Sequence, residues 1–167
     1  TNAQHFTLSD IERLKLLDLA RITWGVPLYA KTDNLHDEIV GKKGALDRLR
    51  KSLALLCQAG AQIELRTVLM STNASGLPEL AKFVVTQLPF ISSWAIMQLE
   101  NIGYGRKNWS TLFYDSSSRF EPVGIALDIS RGRGINTMLY NFPLCTVPDK
   151  YRELAPPTIS DWKRKFL

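Results

Sequence analysis

Four short apolar runs, at residues 22–28, 62–70, 92–99 and 135–140, each follow a segment of helical character. Strands that alternate with helices pair in parallel, because each crossover returns the chain to the same end of the sheet. Residues 8–20 open on Thr7 or Ser9 as a cap and place Ile11, Leu14 and Leu17 near one face. In 44–59, Leu46, Leu49, Leu53 and Leu56 stack on one side, and Gly60 stands where a helix ends in a left-handed residue. Pro78 and Pro122 fall in the first turns of two further helices, reaching to about Leu88 and Arg131, where the missing N–H is harmless. The stretch after the first strand and the stretch 101–118 read as polar loops, and a short helix is expected at 159–166. The strands start about 30 to 43 residues apart, near the length of a βα unit. Four units make half of a parallel barrel, which needs about 250 residues when complete. An open doubly wound sheet is the competing arrangement. In both, binding groups belong at the C-terminal ends of the strands.

At about 150 residues per domain, 167 residues make one domain. A hydrophobic content of 45% against 22% charged excludes a disordered or collagen-like chain. No apolar run approaches the ~18 residues of a membrane-spanning helix. The net charge of +5 is spread over small clusters such as Lys42-Lys43, Arg131-Gly-Arg133 and Lys163-Arg164-Lys165. A nucleic-acid surface calls for a denser basic stripe with interleaved aromatics, so neither nucleic acid nor membrane is an expected partner. Cys57 and Cys145 lie far apart, which suits a reducing cytoplasm. Two cysteines are too few for a four-cysteine zinc site or an iron–sulfur cluster.

Dinucleotide, P-loop, zinc-protease, Cys-x-x-Cys and nucleophile-elbow motifs are absent from the sequence. Arg131-Gly-Arg-Gly-Ile135 precedes a strand, the wrong side for a phosphate loop. His5 and His36 read as surface or capping residues, and Cys57, near Leu53, as core. Glu100 and Asn101 close the third strand, where a carboxylate reads as a binding group. Glu64 and Arg66 alternate onto one face of the second strand, as a buried structural pair or as a clamp for a ligand carboxylate. Asn73 and Ser75 occupy the next turn, able to hydrogen-bond a ligand or simply to close the turn. Cys145, just beyond the fourth strand and beside Pro143, is either a metal ligand or a buried free thiol.

Several stretches carry a family resemblance. Thr1-Asn2 resembles the remnant of the Thr-Asn-Gly turn after the third strand of radical S-adenosylmethionine (radical SAM) enzymes. Trp24-Gly-Val-Pro-Leu-Tyr-Ala30, Ile63-Glu-Leu-Arg66, Leu77-Pro-Glu-Leu-Ala81, Tyr140-Asn-Phe-Pro-Leu-Cys145 and Ile159-Ser-Asp-Trp-Lys163 are similar, in that order, to the radical maturases of His-Xaa-Ser peptide systems. The resemblance implies a partial (β/α) barrel and a [4Fe-4S] cluster on a Cys-x3-Cys-x2-Cys loop. It also implies S-adenosylmethionine, cleaved reductively to a radical that abstracts hydrogen from a peptide substrate. Residue by residue, it implies that Glu100 and Asn101 approach the adenine and ribose. Arg66 with Asn73 or Ser75 would contact the methionine carboxylate and ribose, and Tyr29 would line the same cavity. Cys145 would ligate an auxiliary cluster.

The chain departs from that family in lacking the three-cysteine loop and the first two strands with their Gly-Gly-Glu motif. The expectation is therefore a fragment. Residues 1–142 would be the C-terminal half of the barrel, about four parallel strands with outer helices, and 143–167 the start of an extension in the auxiliary-cluster region. Such a piece would bind cofactor without performing the chemistry, and its bare strand edges would favour self-association. The alternative is a non-catalytic half-barrel that binds a peptide or protein partner.

Overall fold

The computed structural model describes residues 1–17 and 22–156. Helix α1 (Leu8–Leu14) starts on a capping box: the Thr7 hydroxyl receives the Asp10 N–H, and the Asp10 carboxylate receives the Thr7 N–H at 2.9 Å. It ends earlier than the expected residue 20, giving way to a turn at 15–17, and residues 18–21 lie outside the described ones. Strand β1 (Thr23–Pro27) is followed by α2 (Asp33–Val40), a helix where a polar loop was expected. Its sequence, rich in Asp, Asn and Glu, hid a packed face that is occupied by His36.

Helix α3 (Ala45–Gln58), β2 (Gln62–Leu69), α4 (Leu77–Gln87) and β3 (Ser93–Gln98) follow, close to their expected bounds. Within 101–118, expected as loop, stand two short helices, α5 (Gly103–Lys107) and α6 (Trp109–Leu112). Helix α7 (Glu121–Arg131) and β4 (Asn136–Tyr140) complete the alternation. The expected helix at 159–166, with its Ile159-Ser-Asp-Trp-Lys163 stretch, falls outside the described residues.

All strand pairs are parallel and the sheet order is β1-β2-β3-β4. A doubly wound sheet reverses its order at a switch point. This one advances strand by strand in sequence order, as a barrel wall does. Strand β2 shows the consequence. Ile63, Leu65, Thr67 and Leu69 are buried, whereas Gln62, Glu64, Arg66 and Val68 are exposed or half-buried. Leu46, Leu49, Leu53 and Leu56 of α3, Leu77, Leu80 and Val84 of α4, and Val123 and Leu127 of α7 share one core with the buried face. Each such leucine withdrawn from water contributes about 2 kcal/mol, so this face holds the layers together. The other face stays open.

Cys57 corrects one expectation. The buried stripe of α3 runs through Leu49, Ser52, Leu53 and Leu56, and Cys57 turns past its edge to become exposed. Residues 143–156 fold back as 3-10 turns, Leu144–Thr146 and Asp149–Leu154. Tyr151 of the second turn packs on Phe120 at 5.6 Å between ring centroids, and its hydroxyl hydrogen-bonds the Asp128 carboxylate at 3.0 Å. Gly124 makes room for that ring, since a Cβ there would stand 3.1 Å from the Tyr151 oxygen.

Candidate functional site

In a parallel sheet of this order the loops beyond the C-terminal strand ends supply the polar groups of a site. The loop after β1 carries Tyr29, half-buried, with burial raising its phenol pKa. Its backbone N–H donates to Nδ1 of His36 at 3.3 Å, and the two rings lie 5.8 Å apart. His36 is completely buried, which corrects its reading as a surface or capping residue. With Nδ1 accepting, the neutral ring carries its proton on Nε2, which is buried with no partner among the described residues. Burial lowers the pKa of this imidazole and keeps it uncharged.

Asn73, in the turn after β2, is buried and spends both amide hydrogens and its carbonyl on backbone. Its carbonyl accepts the Met70 N–H at 2.8 Å. Its amide donates to Val68 O at 3.0 Å and to Tyr29 O at 3.3 Å. Asn73 therefore fixes the loops after β1 and β2 to each other. Ser75 is exposed in the 3-10 turn Ala74–Gly76, just before α4.

After β3, Glu100 and Asn101 are exposed. The Glu100 carboxylate accepts a hydrogen bond from Asn141 Nδ2 at 2.7 Å, joining the ends of β3 and β4. Asn141 takes φ +62, a left-handed conformation that asparagine tolerates and β-branched residues do not. Gly105 presses against this rim, because a Cβ there would stand 2.5 Å from the Glu100 carbonyl oxygen. The segment 101–118 is fastened below. Ser71 N–H donates to Leu112 O at 2.9 Å, and the Gln98 amide donates to Tyr114 O at 2.8 Å.

Arg66 and Glu64 do face the same way, as the alternation required, but on the open face. The expectation of a buried pair is corrected: the Arg66 side chain is 55% exposed and that of Glu64 19%. The exposure follows from the sheet having helices on one side only. Arg66 Nε donates to Glu64 Oε1 at 2.7 Å. The guanidinium lies over Gly25, whose position in register is beside Glu64 rather than beside Arg66. It therefore leans toward the N-terminal ends of the strands. Tyr140, on the same face, donates to Met138 Sδ at 3.3 Å; burial and the Glu64 charge raise its pKa.

Cys145 is exposed in its 3-10 turn, not a buried thiol. No group of three or more His, Cys, Asp or Glu suited to a metal exists among the described residues. These residues thus do not make a cluster site. No helix among them is long and apolar enough to cross a membrane.

Tyr29, Asn73, Ser75, Glu100 and Asn101 thus gather at one end of the sheet, and Arg66 sits below them on the open face. Sequence reasoning missed His36, Gly25 and Gly105. The first had no signal outside its helix, and the glycines show their purpose only through the groups that occupy the space of their absent Cβ.

No protein-family model and no curated protein matches the sequence. Solved structures do. SuiB of Streptococcus suis, in a structure bound to precursor peptide SuiA, superposes with a TM-score of 0.61 at 19% identity, over 84% of this chain and 30% of SuiB. A radical SAM methyltransferase from Sphaerobacter thermophilus superposes with a TM-score of 0.55 at 16% identity, over 80% of this chain and 38% of that one. The chain thus spans about a third of the length of these proteins. Its fold is that of part of a radical SAM barrel: α/β, with four parallel strands and outer helices.

Proposed function

We propose that this chain is the part of a radical SAM enzyme that lines the cofactor cavity and faces a peptide substrate. The observation that carries the reading is the parallel, sequentially ordered sheet with one open face and a polar rim at its C-terminal end, in the fold shared with SuiB and the methyltransferase. SuiB was crystallised with a precursor peptide, which supports a peptide as the substrate class.

The rim suits the adenosine part of S-adenosylmethionine. Glu100 offers a carboxylate whose Oε1 is held by Asn141, fixing its orientation toward hydroxyl or amino donors. Asn101 adds an amide, Ser75 a hydroxyl, and Tyr29 a phenol whose pKa burial raises further. Asn73 serves the cavity by holding the Tyr29 loop in place, since its own amide is fully engaged. Arg66 lies below this rim, on the open face of the sheet.

In such an enzyme a [4Fe-4S] cluster would supply the electron that cleaves S-adenosylmethionine. The described residues do not fit such a cluster, so its ligands are assigned to other parts of the enzyme, with Cys145 as an outlying thiol of an auxiliary site. The test is the full reading frame around this segment, expressed anaerobically and mixed with S-adenosylmethionine and dithionite. Release of 5′-deoxyadenosine supports the proposal. Its absence, or a reading frame with no Cys-x3-Cys-x2-Cys loop, rejects it.

A further inference from the structure

We infer that the open face of the sheet holds a second subsite, in which Arg66 takes a carboxylate from an acidic residue of the peptide substrate.

The seat of Arg66 is built by three side-chain choices. Gly25 has no Cβ, and one placed there would stand 2.6 Å from Arg66 Cζ and 2.7 Å from Nε, so only glycine lets the guanidinium lie flat on β1. Glu64 anchors it through Nε at 2.7 Å. That leaves the guanidinium edge formed by the two Nη groups without a partner among the described residues. An arginine edge with two parallel N–H groups matches a carboxylate in a bidentate pair.

Glu64, paired with Nε on the far edge of Arg66, balances the guanidinium charge of the empty subsite.

Depth assigns the carboxylate to the substrate. The guanidinium lies at the row of Gly25 and Glu64, about 16 Å along the strand from Leu69 at about 3.3 Å per residue. A cofactor lying across Glu100 and Asn101 occupies the other end of the sheet. The carboxylate that reaches Arg66 must descend along the open face, as a side chain of an extended peptide can.

The inference rests on the proposed function for its substrate, and the experiment separates the two. The chain, with 15N-labelled arginine, is titrated with N-acetylglutamate N-methylamide, with the neutral N-acetylglutamine N-methylamide and with S-adenosylmethionine. The Nε–H signal of Arg66, assigned with Arg66→Gln, is followed throughout. A saturable shift with the glutamate probe is expected, at least tenfold weaker with the glutamine probe. Gly25→Ala displaces only the flexible end of Arg66, so it should leave the melting temperature in place and abolish the shift. A signal that moves with S-adenosylmethionine but not with the glutamate probe overturns the inference and assigns Arg66 to the cofactor. Silence toward both also overturns it. The proposed function stands or falls separately, on 5′-deoxyadenosine.

Discussion

The side-chain amide of Asn73 donates to the backbone carbonyl of Tyr29 at 3.3 Å, across 44 residues of sequence, while its carbonyl accepts the Met70 N–H at 2.8 Å. One buried side chain thus sets the distance between two strand ends that frame the candidate site. Asn73→Ala leaves the buried Met70 N–H without its partner and removes the amide donor to Val68 O and Tyr29 O. At about 1–3 kcal/mol for an orphaned buried group, a loss of about 2–4 kcal/mol is expected in urea unfolding. A loss below about 0.5 kcal/mol would show that the turn closes without it.

His36 predicts a pH dependence. Burial depresses its pKa in the folded state, so as pH falls below about 6.5, its ordinary value, the unfolded chain takes up a proton before the folded chain does. Stability from this group is complete above that pH and is lost as pH falls toward the depressed value. Protonation also turns Nδ1 into a donor facing the Tyr29 N–H, which loosens the Tyr29 loop. Thermal melts between pH 7.5 and 5 should show a decline that is flatter in His36→Gln. Equal slopes for the two proteins would remove His36 as the cause.

The core carries a polar chain that should tolerate no deletion. Trp94 Nε1–H donates to Thr67 Oγ1 at 2.9 Å, and that hydroxyl donates to Leu28 O at 2.6 Å, all three residues being buried. Thr67→Val keeps the shape and orphans both partners, an expected cost of about 2–4 kcal/mol by chemical denaturation. Thr67→Ser should recover most of it.

Gly105→Ala tests the rim. Its Cβ meets a backbone oxygen at 2.5 Å, which cannot swing aside as a side chain would. The Glu100 loop must move, at a cost of about 1–3 kcal/mol. Amide chemical shifts of residues 99–106 and of Asn141 should change together, and unaltered shifts at Asn141 would show that the loops after β3 and β4 move independently.

Self-association follows from the sheet edges. Strands β1 and β4 each have a strand partner on one side only among the described residues. Unpaired edges template association, so light scattering on the purified chain should show mass rising with concentration. A constant monomer mass at high concentration would mean the edges are covered.

The alternation of elements, the parallel pairing and the placement of β2, β3, α3, α4 and α7 were legible in the sequence, because leucine spacing, capping residues and glycine stops are local signals. The α2 helix was not legible, since its polar composition resembles a loop and its packed residue is a histidine. The same limit applied to the site. Tyr29, Ser75, Glu100 and Asn101 could be placed at strand ends by counting along the chain. That Asn73 spends its hydrogen bonds on three backbone partners could not.

Periodicity assigns a side chain to a face, and that much of Arg66 is set by the sequence alone. Whether the face is covered depends on which helices pack where, and only the assembled sheet left Arg66 exposed and seated on Gly25. The burial of His36 and the exposure of Cys57 were decided in the same way. Burial is a property of neighbours distant in sequence, and hydrogen bonds such as those from Asn73 to Tyr29 and from Asn141 to Glu100 exist only once the strands that carry them lie side by side.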